Sequence, residues 1–305
     1  MNRGPRLIEH LVKSKALFPI ALVFSISAWA LAPYNWVVAL IYGVITFFLW
    51  VFERHFTLFQ IKSQLHLTFF VLLSILVPSL HTNVGGSLIM VLFIISIYLL
   101  FDSYQQRDAV LTLHLIGILG GIGSLIDPRT TVFMFTIWFI AYQVQAIKIR
   151  GLIASLLGMG LPLLLWVSYL LVNNQIAQFS NFICQYKSLY IPQIGTLQWD
   201  EWTILGLISI LVISATVHIL SHTHYDKLRT ATYISLISAI SVFLIILNFL
   251  FVNWWAIVMP SLFGISSLLF GHYFSSQKGK FTGIILVIIF LFMGAMGIYE
   301  MMKLK

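Results

Sequence analysis

The chain has 305 residues, of which 60% are hydrophobic and 9% charged, and its mean hydropathy is +0.99. Because the few charges fall in short clusters between long apolar runs, this composition excludes a water-soluble domain and predicts an all-α membrane protein. The net charge of +8 does not indicate nucleic-acid binding, since the Lys and Arg are spread over many loops. The single cysteine, Cys184, excludes an internal disulfide and a Cys-built metal site.

About eleven apolar segments follow one another along the chain, each near the roughly 17–25 residues that a helix needs to cross a bilayer. The third, fourth and sixth are short, so counts of nine or ten stay open. No connection is long enough to fold separately. We therefore predict a single integral membrane domain over residues 1–305, a polytopic helix bundle of nine to eleven spans. The segments are Ala16–Ala32, Trp36–Phe52, His66–Leu80, Ser87–Phe101, Ala109–Ile126, Thr131–Ile147, Gly151–Val172, Thr203–Leu220, Ala231–Phe249, Trp254–Phe274 and Phe281–Ile298.

The distribution of basic residues predicts the orientation of the spans. With the N-terminus in the cytoplasm, only Arg129, Lys187, Lys303 and Lys305 of the 17 basic residues fall on the outer side. Basic residues are normally concentrated in cytoplasmic loops, so a cytoplasmic N-terminus is favoured. Lys303 and Lys305 break the rule unless the last segment fails to cross, and the side of the C-terminus stays open.

Glycines are dense in the fifth segment, where Gly117, Gly120, Gly121, Gly123 and Ser124 form a small-residue patch. Small residues four apart allow close helix–helix approach. A phosphate-binding loop is disfavoured, because the glycines lie within an apolar span and no lysine follows in the required register. We expect this patch to be exposed, where it would support the binding of a protein partner.

A short turn, Asp127-Pro128-Arg129, is predicted at the outer membrane edge directly after this patch. A carboxylate in that position is what a lipid-linked transferase needs as a general base, which makes Asp127 the candidate catalytic residue. Arg129 is a candidate substrate-binding residue, since a guanidinium can hold a phosphate oxygen. The alternative, which we favour, is a Pro-set turn with a helix-capping Asp and an interfacial Arg.

The longest stretch between spans, residues 173–202, predicts an amphipathic helix in the outer membrane interface. Apolar residues recur at helical spacing on one side, and the other side carries uncharged amides. An amide face beside aromatics could bind sugar hydroxyls or a lipid head group. The candidate substrate-binding residues here are Asn181, Gln185, Tyr186, Trp199 and Asp200. A lid that merely shields helix ends is the alternative, and we favour it.

Histidines and charges give few further signs of chemistry. His218 and His222 have metal-compatible spacing, but no His-Glu-x-x-His pattern and no cysteine accompany them. We therefore predict solvated boundary histidines, no metal and no cofactor. His114 lies within a span and is expected to bond a neighbouring helix. No charged residue falls in the middle of a predicted span, which disfavours voltage sensors and ion-coupled transporters.

From Ser103 to Val172 a Gly-rich span, a short outer turn, an apolar span, a basic inner loop and a Gly158-x-Gly160-x-Pro162 span follow in order. This stretch resembles a family of bacterial multi-pass inner-membrane proteins of about this length that has no assigned function. That resemblance implies a bacterial inner-membrane location. The stretch is also similar in rhythm to the polyprenyl-phosphate-sugar-dependent glycosyltransferases of the GT-C fold.

The GT-C resemblance implies a polyprenyl-phosphate-linked sugar as substrate and a catalytic carboxylate in a long first outer loop. The corresponding loop here, around Pro33-Tyr34-Asn35, is short and has no acid. Asp127 would have to take that role, or the protein is a non-catalytic relative. Whether the chain is an enzyme stays open at this point.

Three hypotheses follow from the sequence. The first is a role in cell-envelope biogenesis, in which the protein handles a lipid-linked or glycan substrate at the outer leaflet, as a GT-C-like transferase would. The second is a non-catalytic scaffold subunit that binds a protein partner in a membrane complex, supported by the poverty of catalytic residues. A lipid or solute transporter ranks last, because the sequence shows no paired broken helices.

Overall fold

The computed structural model of the chain describes residues 7–31, 35–59, 63–106, 109–188, 198–222, 228–277 and 280–303. All regular structure in these ranges is helical, which confirms the all-α prediction. The helices are α1 (Leu7–Lys13), α2 (Leu17–Leu31), α3 (Trp36–Phe56), α4 (Leu65–Ile75), α5 (Val84–Asp102), α6 (Val110–Ile126), α7 (Thr131–Gln143), α8 (Ile149–Val172), α9 (Ala177–Ser188), α10 (Trp199–His222), α11 (Leu228–Leu250), α12 (Trp255–Ser276) and α13 (Lys280–Lys303).

Each of the eleven predicted segments coincides with one of these helices, and α9 is the predicted amphipathic helix. By length and composition, seven described helices can cross a membrane, and three shorter apolar ones accompany them. The number of crossings and the side of the N-terminus stay predictions. The third segment is shorter than predicted: α4 ends at Ile75, and a 3-10 turn, Pro78–Thr82, follows because proline cannot continue a helix.

The surface of these helices is that of a membrane protein. Large apolar side chains stand exposed along whole helix faces; on α8, for example, Ile149 is 78% and Val172 81% exposed. Continuous apolar surface of this kind is rare on soluble monomers and is expected where lipid is the solvent. Charged side chains are confined to helix ends and connections.

The chain packs into two compact units, each built from separate stretches of sequence. The first unit comprises Met1–Ser87, Leu197–Ile246 and Leu262–Lys305, and the second comprises Leu88–Thr196 and Leu247–Ser261. In the first unit α2, α3, α4 and α13 pack together around aromatic side chains. Phe69 lies at the centre, with the rings of Phe270, Phe274 and Phe290 at 5.4, 5.5 and 5.0 Å.

The second unit is held by the contact between α6 and α8, which depends on glycine. A Cβ atom at Gly117 would clash with the Ser155 carbonyl oxygen, and one at Gly158 would clash with the His114 carbonyl oxygen. The two helix backbones therefore touch, which is how small residues stabilise helix pairs in a membrane. This confirms packing as the role of the small-residue patch.

The expectation that this patch could offer a surface to a partner is wrong. Gly117, Gly121, Gly123 and Ser124 are buried: α8 covers Gly117 and Gly121, and Thr130 lies against Gly123. The prediction for His114 is confirmed, since its Nδ1 lies 3.0 Å from the Ala154 carbonyl oxygen on α8. Trp138 of α7 adds a third helix by donating from Nε1 to the Ser155 hydroxyl at 3.0 Å.

Two glycines on α8 provide a matched test of this packing. Gly158→Ala places a methyl group against the His114 carbonyl, so we expect a loss of about 1–3 kcal/mol of stability. Gly160→Ala meets no atom within 4 Å and should leave stability unchanged or slightly higher. Thermal unfolding of both variants in detergent measures the difference. Equal melting temperatures would show that the α6–α8 backbone contact is not the one described.

Candidate functional site

The Asp127 turn is built as a cap. The Asp127 Oδ1 accepts a hydrogen bond of 2.9 Å from the Arg129 backbone N–H, and the Thr130 hydroxyl donates to the Asp127 carbonyl at 2.8 Å. Arg129 donates from Nη1 to the Asn253 carbonyl oxygen, and its Nε lies 3.6 Å from the Asp127 Oδ1. These contacts support the capping interpretation, in which both side chains hold the 3-10 turn Pro128–Thr130 at the start of α7.

The electrostatics of Asp127 leave its candidacy as a base intact. Burial of this carboxyl raises its pKa, and the Arg129 N–H and guanidinium offset the rise only in part. A carboxyl with a raised pKa is a better proton carrier near neutral pH than an ordinary one. The same carboxyl therefore has a structural contact and a chemical property suited to catalysis.

The amphipathic helix α9 lies beside the Asp127 turn. It contacts the 3-10 turn Pro128–Thr130 and packs on α8, with the Phe182 ring 5.0 Å and the Phe179 ring 6.3 Å from that of Trp166. The structure thus brings the Asp127 turn and α9 together in the second unit. Asn181, Gln185 and Tyr186 fall within α9, but their side chains lie outside the described part of the chain.

Trp199 and Asp200 belong to the first unit and differ from the prediction. They were expected in the stretch between spans, before a span that starts at Thr203, whereas they form the first turn of α10. The helix starts early because Glu201 reaches back to accept a hydrogen bond of 3.1 Å from the Gln198 N–H, and because acidic side chains are favourable at a helix N-terminus. Trp199 is 88% exposed.

Asp200 forms an ion pair with the far end of the chain. Lys303 Nζ donates to the Asp200 Oδ2 at 2.6 Å and to the Gln198 Oε1 at 2.7 Å. The hydrogen bond to Asp200 raises the pKa of the Lys303 ammonium above its usual value. The end of α13 therefore lies beside the start of α10. Lys303, one of the two exceptions to the predicted charge rule, has a carboxylate partner there.

The histidines of α10 do not form a metal centre with other described residues. The His218 ring packs edge-on against that of Tyr273 at 5.3 Å. His222 ends α10 with an undescribed side chain, and His224 and Asp226 lie outside the described residues. Within the described ranges, no group of three or more His, Cys, Asp or Glu side chains is placed to hold a metal ion.

A groove in the first unit was missed by the sequence analysis. It lies between α2, α3 and α4, has a volume of about 400 Å³ and is lined mainly by apolar side chains. None of the described residues that line it is charged. The hydroxyls of Thr46 and Ser74 on its wall are occupied by helix carbonyls at 2.8 and 2.7 Å. The lining includes Leu22, Ile26, Trp29, Tyr42, Gly43 and Phe70, and we call this site the α2–α3–α4 groove.

The groove opens on the apolar surface of the helices. Ile26 at its edge is 60% exposed, and Gly43 is exposed, with no atom within 4 Å of the position of a Cβ. Beyond Gly43 the exposed face of α3 continues as a shallow furrow lined by Leu40, Val44 and Phe47. The one signal in the sequence is Ala39 and Gly43, a small pair four residues apart among large side chains.

Trp29 and Ser74, which line the groove, belong to an uncharged polar assembly. The His81 ring stacks on Trp29 with centroids 3.8 Å apart, and its Nε2 donates to the Ser74 carbonyl oxygen at 2.8 Å. The Asn35 N–H donates to the His81 carbonyl at 3.1 Å. Burial lowers the pKa of His81 to about 4, so the ring is neutral at pH 7. The groove therefore has no charge at its Trp29 end either.

Comparison of the chain with protein-family models, curated proteins and solved structures finds no match. The two resemblances drawn from the sequence therefore stay predictions.

Two substitutions at Asp127 separate the cap from the charge. Asp127→Ala removes the acceptor for the Arg129 N–H and should cost about 1 kcal/mol. Asp127→Asn keeps an acceptor and removes a carboxylate that burial disfavours, so it should be at least as stable as the native chain at pH 7.

The gain in stability from Asp127→Asn should depend on pH in a defined direction. Because the folded-state pKa is raised, native Asp127 contributes stability below its unfolded pKa and loses it as pH rises through the folded pKa. The difference in melting temperature between the two proteins should thus be largest near pH 7 and shrink in acid. A difference that grows in acid would contradict this assignment.

Proposed function

We propose that the protein is a multi-pass protein of the bacterial inner membrane that takes part in envelope biogenesis by holding a lipid-linked substrate in the α2–α3–α4 groove. The observation that carries the proposal is the groove itself: about 400 Å³ of apolar, charge-free space opening on the apolar surface. That volume lies within the roughly 300–1,000 Å³ typical of small-molecule sites.

The chemistry of the lining favours an apolar chain over a polar solute. A charged or sugar group inside the groove would lose its hydration, and the wall hydroxyls of Thr46 and Ser74 are already used by the helices. A hydrocarbon or isoprenoid chain has no hydration to lose on entry. Since bulk lipid is equally apolar, its preference for the groove must come from shape and close packing.

The predicted topology places the Trp29 end of the groove at the outer leaflet. Trp29 and Trp36 would lie at the outer interface, where tryptophans are favoured. The polar head of a substrate whose chain fills the groove would then stay at the membrane surface, near Asn35 and the 3-10 turn Pro78–Thr82. This arrangement suits a polyprenyl-phosphate-linked sugar, which has a long chain and a large polar head.

A GT-C-like transfer reaction is a second candidate function, which rests on the Asp127 turn of the second unit and not on the groove. Asp127 is the candidate base, because burial raises its pKa. The first test is the transferase activity of the Asp127→Asn variant, which keeps the cap. Full activity in that variant would remove the catalytic step and leave lipid binding. The scaffold alternative has lost one support, because the small-residue patch is buried against α8.

Two glycines of the first unit provide the decisive experiment. Gly43 lines the groove, whereas Gly206 on α10 does not, and a Cβ at either position meets no atom within 4 Å. We expect Gly43→Leu to fill the groove and reduce retention of polyprenyl phosphate at least tenfold, with an unchanged fold. Gly206→Leu should bind as the native chain does.

Native mass spectrometry of each protein, released from nanodiscs that contain polyprenyl phosphate, measures this retention. Circular dichroism and thermal unfolding check that both variants fold. If Gly43→Leu retains the lipid as well as Gly206→Leu does, the groove is not the binding site and the proposal fails.

A further inference from the structure

A second cleft lies in the second unit and is polar in a protein that has few polar surfaces. It is formed by the end of α7, the connection from α7 to α8 and the turn after α5. Its volume is about 820 Å³, and it is lined by Gln105, Tyr142, Gln143, Gln145, Ile147 and Lys148. We call it the glutamine cleft.

Two residues that line the glutamine cleft have a strained backbone. Gln105 and Gln145 have φ values of 61° and 59°, a left-handed conformation that non-glycine residues seldom adopt. They are two of four such residues in the described chain. The Gln105 N–H donates to the Val144 carbonyl at 3.1 Å, which ties the two strained turns together. Strain of this kind tends to collect at binding sites.

The described charged residues named here, at the cleft and at the ends of α5 and α8, are positive on balance. Lys148 lines it and Arg150 follows in the first turn of α8, both exposed, while Asp102 ends α5. The amides of Gln105, Gln143 and Gln145 add hydrogen-bond donors that match phosphate oxygens. A cation and several neutral donors around one cleft favour an anionic group.

The surroundings of the cleft favour a lipid as the source of that anion. The cleft lies at the ends of apolar helices, on the side predicted to be cytoplasmic. Ile149, next to Lys148, is 78% exposed and Tyr142 is 72% exposed, which gives an apolar surface for acyl chains beside the polar cleft. Basic pockets at the cytoplasmic ends of membrane helices bind anionic head groups in this way.

We propose that the glutamine cleft binds the phosphate-bearing head group of an anionic phospholipid. The proposal does not depend on the α2–α3–α4 groove or on its ligand. Lys148 contributes charge, the three glutamines contribute hydrogen bonds, and Tyr142 and Ile149 contact the upper part of the acyl chains.

The test uses the full chain in nanodiscs of phosphatidylcholine that contain phosphatidylglycerol, with native mass spectrometry of the retained lipids. Lys148→Gln should lower retention of phosphatidylglycerol about fivefold, the effect of one basic residue near an anionic membrane surface. Lys15→Gln removes the same charge from an exposed position on the same predicted side that does not line the cleft, and should change nothing.

A third variant separates binding from folding. Gln145→Gly removes an amide but suits the left-handed backbone, so it should raise the melting temperature while lowering phosphatidylglycerol retention. The proposal is overturned if all three variants retain phosphatidylglycerol equally, or if the native chain retains phosphatidylcholine equally well. It is also overturned if millimolar inorganic phosphate displaces the lipid, since the cleft would then be a site for a free anion.

Discussion

An apolar surrounding offers no hydrogen bonds, and the structure of this protein depends on that constraint. Backbone N–H and C=O groups must find partners within the chain, which leaves helices as the economical solution for apolar segments of this length. The side chains obey the same rule: Ser124 and Ser155 each donate to a carbonyl of their own helix, at 2.7 and 2.8 Å. Little polar capacity is then left to join one helix to another.

Helix association therefore rests on shape. Apolar side chains gain little by leaving lipid for the protein interior, so close backbone contact has to supply the stability. Gly117 and Gly158 make that contact between α6 and α8, and the Trp138 bond to Ser155 adds α7. The packed helices hold the Asp127 turn and α9 beside each other. A candidate site in the second unit thus owes its geometry to glycines that have no chemistry of their own.

In the first unit a pair of small residues leaves an open groove instead of a close helix contact. Ala39 and Gly43 on α3 are also four apart, yet a Cβ at Gly43 would meet no described atom within 4 Å. The space beside the pair forms part of the α2–α3–α4 groove. A small-residue pair thus produces a close contact or a groove according to whether a neighbouring helix presents a matching surface. That difference separates a structural feature from a binding site in this protein.

Helix type and position along the chain were determined by the sequence alone, because apolar run length decides which segments leave water and a backbone away from water must be helical. The apolar face of α9 and the packing role of the glycines could also be predicted from the sequence, since both depend on local spacing. Which residues contact one another across helices was decided only by the tertiary structure. Four features join residues that are distant in sequence: the burial of the glycine patch, the Lys303–Asp200 pair, the groove at Gly43, and the cleft between Gln105 and Gln145. Residue spacing within one helix holds no information about which other helix faces it.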